Sequence, residues 1–276
     1  MHKRTKLWSS LSLAALVGGT SLAVAAADEL QAAAAMDTAA ADTGQAAAAG
    51  GEGEGEGLAQ NVDPATNDVA YLSQLGLMRG HLLVGLELYR AGHIEHARMH
   101  MKHPKSELYA DMEPAFKARG SAGFADQLTA LANAVESDDS SAEEVEAAYA
   151  AVLEGISASE ARVGSLSPAT RLGVVVKLVR TAADEYALGV VDGKVVNGHE
   201  YQDAYGFTRT AQSLVANMDV GDDADLAATR DGVKALIQGL FDANLWLGIM
   251  PPEAVDGNAS QLYGAAARIE IAALSL

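Results

Sequence analysis

From residue 64 onward, the chain is a succession of segments with helical periodicity, bounded by residues that begin or end helices. Aromatic residues make up only 5% of the sequence, and the apolar–polar alternation typical of strands is nearly absent. We expect helices over residues 64–91, 93–102, 105–117, 122–135, 142–161, 168–190, 200–218, 223–247 and 261–274. The pattern predicts an all-α helical bundle of about 8–9 helices. It allows two stacked helical groups with a sub-boundary near residues 137–141.

The first 27 residues have the features of a signal peptide. Three basic residues within the first six precede a largely apolar run, which ends in small residues at 23–27. Residues 28–63 contain alanine tracts and Gly-Glu repeats, which are typical of a linker without structure of its own. We therefore expect a periplasmic protein with a folded domain over 64–276 and no transmembrane segment after signal cleavage.

Composition excludes several function classes. The chain has no cysteine, so it has no disulfide framework and no thiol nucleophile. Its formal net charge of −18 repels the phosphates of nucleic acid. The sequence has no phosphate-binding glycine loop, dinucleotide fingerprint or serine-hydrolase elbow. These features favour a binding protein over an enzyme.

The second helical segment carries a stripe of histidines. Four of the seven histidines of the chain lie there: His93, His96, His100 and His103. Spacings of three, four and three residues place them on one face of a helix. Ala97 and Met101 form the adjoining apolar face, so the stripe borders the side of the helix that we expect to be buried.

Such a stripe predicts a metal site that needs ligands from elsewhere. It is about 15 Å long at ~1.5 Å per residue, so one ion contacts only neighbouring histidines. His96 and His100, spaced i,i+4, form the favoured chelating pair. Further ligands are expected from Met78 and His81 on the first helix and from Glu107 after Pro104. The predicted metal ligands are His96, His100, His81, His103, Met78, Glu107 and His93.

The residue types leave the identity of the metal open. Imidazole suits zinc, copper, iron and nickel, thioether ligands favour copper(I) or a haem iron, and carboxylates favour iron, manganese or zinc. We expect iron or copper, with zinc as a further option. Haem binding with electron transfer and a pH-responsive interaction module remain as alternative functions.

A second polar group lies around two later helices. Asp184 and Glu185 end one predicted helix, and Glu200 and Asp203 begin the next, with three tyrosines nearby. Paired carboxylates with tyrosines are suited to a hard cation such as iron. Alternatively, the carboxylates cap a helix and remain exposed while the tyrosines pack.

The same region has a family resemblance. Asp184-Glu-Tyr-Ala-Leu-Gly-Val-Val-Asp-Gly-Lys-Val-Val-Asn197, followed by Glu200-Tyr-Gln-Asp-Ala-Tyr-Gly-Phe207, resembles the periplasmic helical domain of bacterial iron permeases. The resemblance covers about residues 176–212. It implies an extracytoplasmic helical domain in iron or metal handling, with a membrane metal transporter as partner. The His-rich half is loosely similar to imelysin-like periplasmic iron-uptake proteins.

Together, these observations predict a periplasmic metal-binding protein that acts in metal uptake, delivery or sensing through its His-rich helix.

Overall fold

The computed structural model describes residues 62–276, and this part of the chain is all-α with one short β-hairpin. The predicted signal peptide and all but the last two residues of the predicted linker lie outside the described residues. The helices are α1 Asp68–Arg90, α2 Ile94–His103, α3 Ala110–Ala118, α4 Ala125–Glu136, α5 Ala142–Glu160, α6 Pro168–Gly189, α7 Gly198–Ala216, α8 Ala224–Asp242 and α9 Ala259–Leu274. A π-helix, Pro104–Tyr109, joins α2 to α3, and a 3₁₀ turn, Ala161–Val163, follows α5. The predicted fold class is confirmed.

Eight of the α-helices in the described part of the chain form two groups of four, and the two groups pack against each other. In the N-terminal group, α1 packs on α2 and α5, and α4 completes the ring by contacting both α2 and α5. In the C-terminal group, α6 packs on α7 and α9, and α8 contacts both α7 and α9. Because α1 also packs on α6 and α7, it links the two groups, and the apolar core runs through both.

Two glycines set the closest approach of α1 and α7. A Cβ placed on Gly206 would lie 2.5 Å from the carbonyl oxygen of Gly80, and one on Gly80 would lie 2.5 Å from the ring of Phe207. Only glycine permits this separation of the two backbones. Glycine inside a helix is destabilising relative to alanine, and here it allows the two helices to approach closely. It places His81, the neighbour of Gly80, directly against α7.

Three predicted helix ends are wrong. Residues 64–67 form a turn, and α1 begins only after Asn67, whose side chain accepts a hydrogen bond from the Ala70 amide at 2.8 Å. Pro104 does not begin a separate α-helix. It is the first residue of the π-helix, a position at which its missing N–H is tolerated. The eighth helix ends at Asp242 instead of Leu247, since Asn244 adopts a positive φ of 56°.

Residues 243–247, which were predicted to extend α8, instead pack against the start of α7. The hairpin of β1 (Val190–Val191) and β2 (Lys194–Val195) turns through Asp192 and Gly193 and leads into α7. Residues 243–258 pack against this corner. In that segment, Trp246 Nε1 donates to the carbonyl of Tyr201 at 3.1 Å. The first turns of α7 are therefore fixed from two sides.

In the described part of the chain, no helix combines the length and the apolar character needed to span a membrane.

Candidate metal centre

Three helices bring four imidazoles and one carboxylate together at the junction of the two groups. Helix α1 supplies His81, α2 supplies His100 and His103, and α7 supplies His199 and Asp203. The side chains of His81, His100 and Asp203 are fully buried, and that of His199 is 7% exposed. We call these five residues the histidine cluster. Two three-ligand groups suited to a metal ion lie within it: His81–His100–Asp203 and His103–His199–Asp203.

Asp203 lies at the centre of the histidine cluster, and its two carboxylate oxygens face different histidines. Oδ1 is 2.7 Å from Nδ1 of His81 and 3.0 Å from Nδ1 of His100. Oδ2 is 3.1 Å from Nδ1 of His199, one helical turn earlier on α7. Yet neither Nδ1 of His100 or His199 nor either oxygen of Asp203 has an aligned hydrogen bond among the described residues. These nitrogen and oxygen atoms lie 2.7–3.1 Å from one another, as ligands of a common cation do.

Gln202 determines which nitrogen of His100 carries the proton. Its amide Nε2 donates to the carbonyl of Ile249 at 3.0 Å, so its Oε1 faces Nε2 of His100, also at 3.0 Å. That oxygen can only accept, and His100 Nε2 is therefore the N–H of the ring. In the neutral ring Nδ1 then bears a lone pair, and it faces Asp203 Oδ1. Two buried acceptors at this distance repel unless a cation lies between them.

Burial keeps two of the imidazoles neutral. It lowers the pKa of His100, although Asp203 acts in the opposite direction. Burial together with His81 and His199 lowers the pKa of His103 to about 3. Neutral imidazoles are the form that binds metal.

The pKa values of His199 and Asp203 shift in the direction that favours their charged forms. Burial disfavours charge at His199, but Asp203 outweighs it and raises the pKa of His199. Burial likewise opposes ionisation of Asp203, but the histidines around it, foremost His81, hold its pKa well below the usual value. The centre therefore contains an ionised carboxylate surrounded by imidazoles.

The rings also constrain one another. His100 and His199 stack 8° from parallel with centroids 4.2 Å apart, and His103 lies edge-on to His199 at 4.8 Å. Phe207 packs edge-on against His81 at 5.0 Å. Nε2 of His103 lies 2.8 Å from Oε1 of Glu107, which is on the π-helix. Such outer contacts orient imidazoles in metal sites.

Three of the seven predicted ligands belong to the histidine cluster, and the other four lie outside it. His81, His100 and His103 come together, and Glu107 contacts the cluster through His103. His93 and His96 are half-buried and lie outside both three-ligand groups, and Met78 is buried on α1 but in neither group. Metal ligation by any of these residues stays a prediction.

Sequence reasoning missed His199 and assigned Asp203 to a different group. The signal was present: His199 and Asp203 have the same i,i+4 spacing as His96 and His100. Nothing in the sequence showed that α7 meets α2, because the contact is made across the junction of the two helical groups.

The residues of the second polar group are divided between the surface and the interior. Asp184 is exposed and accepts a hydrogen bond from Tyr263 at 2.6 Å. Glu185 and Glu200 are buried, so the expectation of exposed charge is wrong for these two residues. Within residues 62–276, neither three-ligand group includes Glu185 or Glu200.

Comparison with known families places this geometry in context. Residues 164–269 match the family model of the iron permease-associated 4-helix bundle domain. The resemblance predicted for residues 176–212 is thereby confirmed over a longer region. No curated protein and no solved structure matches the chain, and the looser imelysin-like similarity is not shown.

The matched region, residues 164–269, covers most of the C-terminal helical group, from just before α6 into α9. It supplies His199 and Asp203, whereas His81, His100 and His103 come from helices that precede it. The histidine cluster is therefore completed by helices outside the matched region.

Proposed function

We propose that this protein binds iron in the periplasm and serves a membrane iron permease in iron uptake. The observation that carries the proposal is the contact between His100 Nδ1 and Asp203 Oδ1. Both atoms are fully buried, 3.0 Å apart and not aligned as a hydrogen bond, and Gln202 holds the proton on the opposite ring nitrogen. A metal ion between them resolves the repulsion.

The donor set supports iron over copper. Both three-ligand groups consist of imidazole nitrogen and carboxylate oxygen, a mixture suited to iron. Met78, the thioether that would favour copper(I), belongs to neither group. Neighbouring ligands of a six-coordinate ion at ~2.1 Å are about 3.0 Å apart, and the observed separations of 2.7–3.1 Å are close to this value. The match to an iron permease-associated domain supports the same metal.

The other predicted functions have less support. A haem would have to displace packed side chains, because His81 and His100 are fully buried. An interaction module that responds to pH would need its histidines at a surface, and the cluster lies between helices. Delivery to a permease, and the periplasmic location, rest on the family match and on the signal-peptide pattern.

Metal binding by the purified full chain tests the proposal. The metal-free protein is incubated with Fe(II) under anoxic conditions and desalted, and the retained iron is quantified. We expect at least one equivalent in the wild type and a loss of affinity of about 100-fold or more in Asp203→Asn. Asp184→Asn is the matched control, because that exposed carboxylate on α6 lies outside the cluster. Retention of less than a tenth of an equivalent of every transition metal offered contradicts the proposal.

A further inference from the structure

The ligands of the histidine cluster fall into two sets. One set is His81 and His100 with Oδ1 of Asp203. The other is His103 and His199, and His199 faces the second oxygen, Oδ2. Each set supplies one ligand atom per residue, and within a set these atoms lie within 4.8 Å of one another. Asp203 belongs to both.

The stacking of two imidazoles rules out a single ion bound by all four. A ring nitrogen binds metal through a lone pair that lies in the plane of its ring. His100 and His199 are 8° from parallel with centroids 4.2 Å apart, so one ion cannot lie in both ring planes. Lone pairs of parallel rings point to two separate positions.

Contacts outside the cluster indicate that both sets present a lone pair. Gln202 accepts from Nε2 of His100 in the first set. In the second set, the carboxylate of Glu107 lies 2.8 Å from Nε2 of His103. Each acceptor holds the ring proton on Nε2 and leaves the lone pair on Nδ1. The same arrangement is thus built twice, with an amide in one set and a carboxylate in the other.

We infer that the centre holds two metal ions bridged by the carboxylate of Asp203, one bound by His81 and His100 and the other by His103 and His199. This inference rests on the proposed function, since it assumes that the cluster binds metal. A bridged pair also explains why the carboxylate presents one oxygen to each set.

Stoichiometry separates this inference from the proposed function. The metal-free full chain is titrated with Fe(II) under anoxic conditions and, in parallel, with Co(II). Two equivalents are expected in the wild type, with spin coupling between the ions in the electron paramagnetic resonance spectrum. His103→Ala and His199→Ala should each bind half as much metal, and His96→Ala should still bind two equivalents.

A single equivalent in the wild type, left unchanged by His103→Ala, overturns the two-ion centre and leaves the proposed function standing. No bound metal overturns both. Circular dichroism checks that each variant folds. If His103→Ala does not fold, Glu107→Gln provides the test, because it weakens the orientation of His103 and should lower the affinity for the second ion alone. Equal effects on both ions would count against two separate positions.

Discussion

Oδ1 of Asp203 lies 2.7 Å from Nδ1 of His81, and the two residues come from helices that belong to different four-helix groups. The contact crosses the junction that joins the N-terminal helices to the region that matches the iron permease-associated 4-helix bundle domain. The distances between the ligand atoms of the centre therefore depend on how the two helical groups pack.

Gln202→Leu should weaken metal binding without removing a ligand. Leucine cannot accept the proton of His100 Nε2, so the ring is free to place its proton on Nδ1, where metal must bind. We expect a 10–100-fold loss of affinity, as for other outer contacts of metal sites. Metal titration measures the loss, and nitrogen chemical shifts of His100 report the position of the proton. Gln212→Leu on the same helix is the control. An unchanged affinity in Gln202→Leu would show that Gln202 does not orient His100.

Gly206→Ala should disturb both stability and metal binding. Its Cβ would lie 2.5 Å from the Gly80 carbonyl oxygen, and backbone cannot rotate away as a side chain can. We expect a loss of about 1–3 kcal/mol in the free energy of unfolding, together with weaker metal binding as α1 and α7 separate.

Gly232→Ala on α8 is the matched control for that substitution, because nothing lies within 4 Å of its added Cβ. It should stabilise the protein by roughly 0.5–1 kcal/mol, since alanine favours the helix. Urea denaturation compares the two variants. Equal effects would contradict a specific close approach of α1 and α7.

The metal-free protein should lose stability as the pH falls below about 6.5. His100 and His103 have lowered pKa values in the folded state, the latter about 3. The unfolded chain therefore binds their protons first, and each contributes up to about 1.4 kcal/mol per pH unit below 6.5. Asp203, with its lowered pKa, adds a loss only at more acidic pH. His199 has a raised pKa, so its contribution is fully present below 6.5 and is lost as the pH rises above 6.5 through the higher pKa of the folded state.

Urea denaturation between pH 7 and pH 4.5 measures this dependence. His103→Gln should flatten it, and His96→Gln, outside the cluster, should retain it. A slope that His103→Gln leaves unchanged would contradict the assignment to His103.

Metal should stabilise the fold, because its ligands come from both helical groups. Fe(II) at 100 times its dissociation constant contributes about 2.7 kcal/mol for one site. For a domain of this size, each kcal/mol corresponds to roughly 2–4 °C in Tm. Thermal denaturation under anoxic conditions should show an increase in the wild type and in His96→Gln, and little change in Asp203→Asn. The same increase in Asp203→Asn would place the stabilising ion elsewhere.

The sequence predicted the helices well and the centre in part. Local signals were sufficient for elements such as α5, where Ser141 and Glu144 form the reciprocal cap that their spacing indicates. His81, His100 and His103 were predictable, because α1 and α2 form a hairpin and helical spacing shows which residues share a face.

The remaining features depend on tertiary packing. His96 was the leading candidate together with His100, but the ring of His199 on α7 contacts His100 and His103. His199 and Asp203 reach them because glycines at positions 80 and 206 allow α1 and α7 to approach closely. No local pattern specifies which distant helix fills that position.

X-ray absorption at the iron edge tests the central claim most directly, because it identifies the atoms bound to the metal. In the iron-loaded full chain we expect nitrogen and oxygen ligands at about 2.1 Å, with the outer-shell scattering of several imidazoles, and loss of this signal in Asp203→Asn. An iron environment without imidazole scattering, or one that is identical in Asp203→Asn, would contradict the assignment of the histidine cluster as the metal centre.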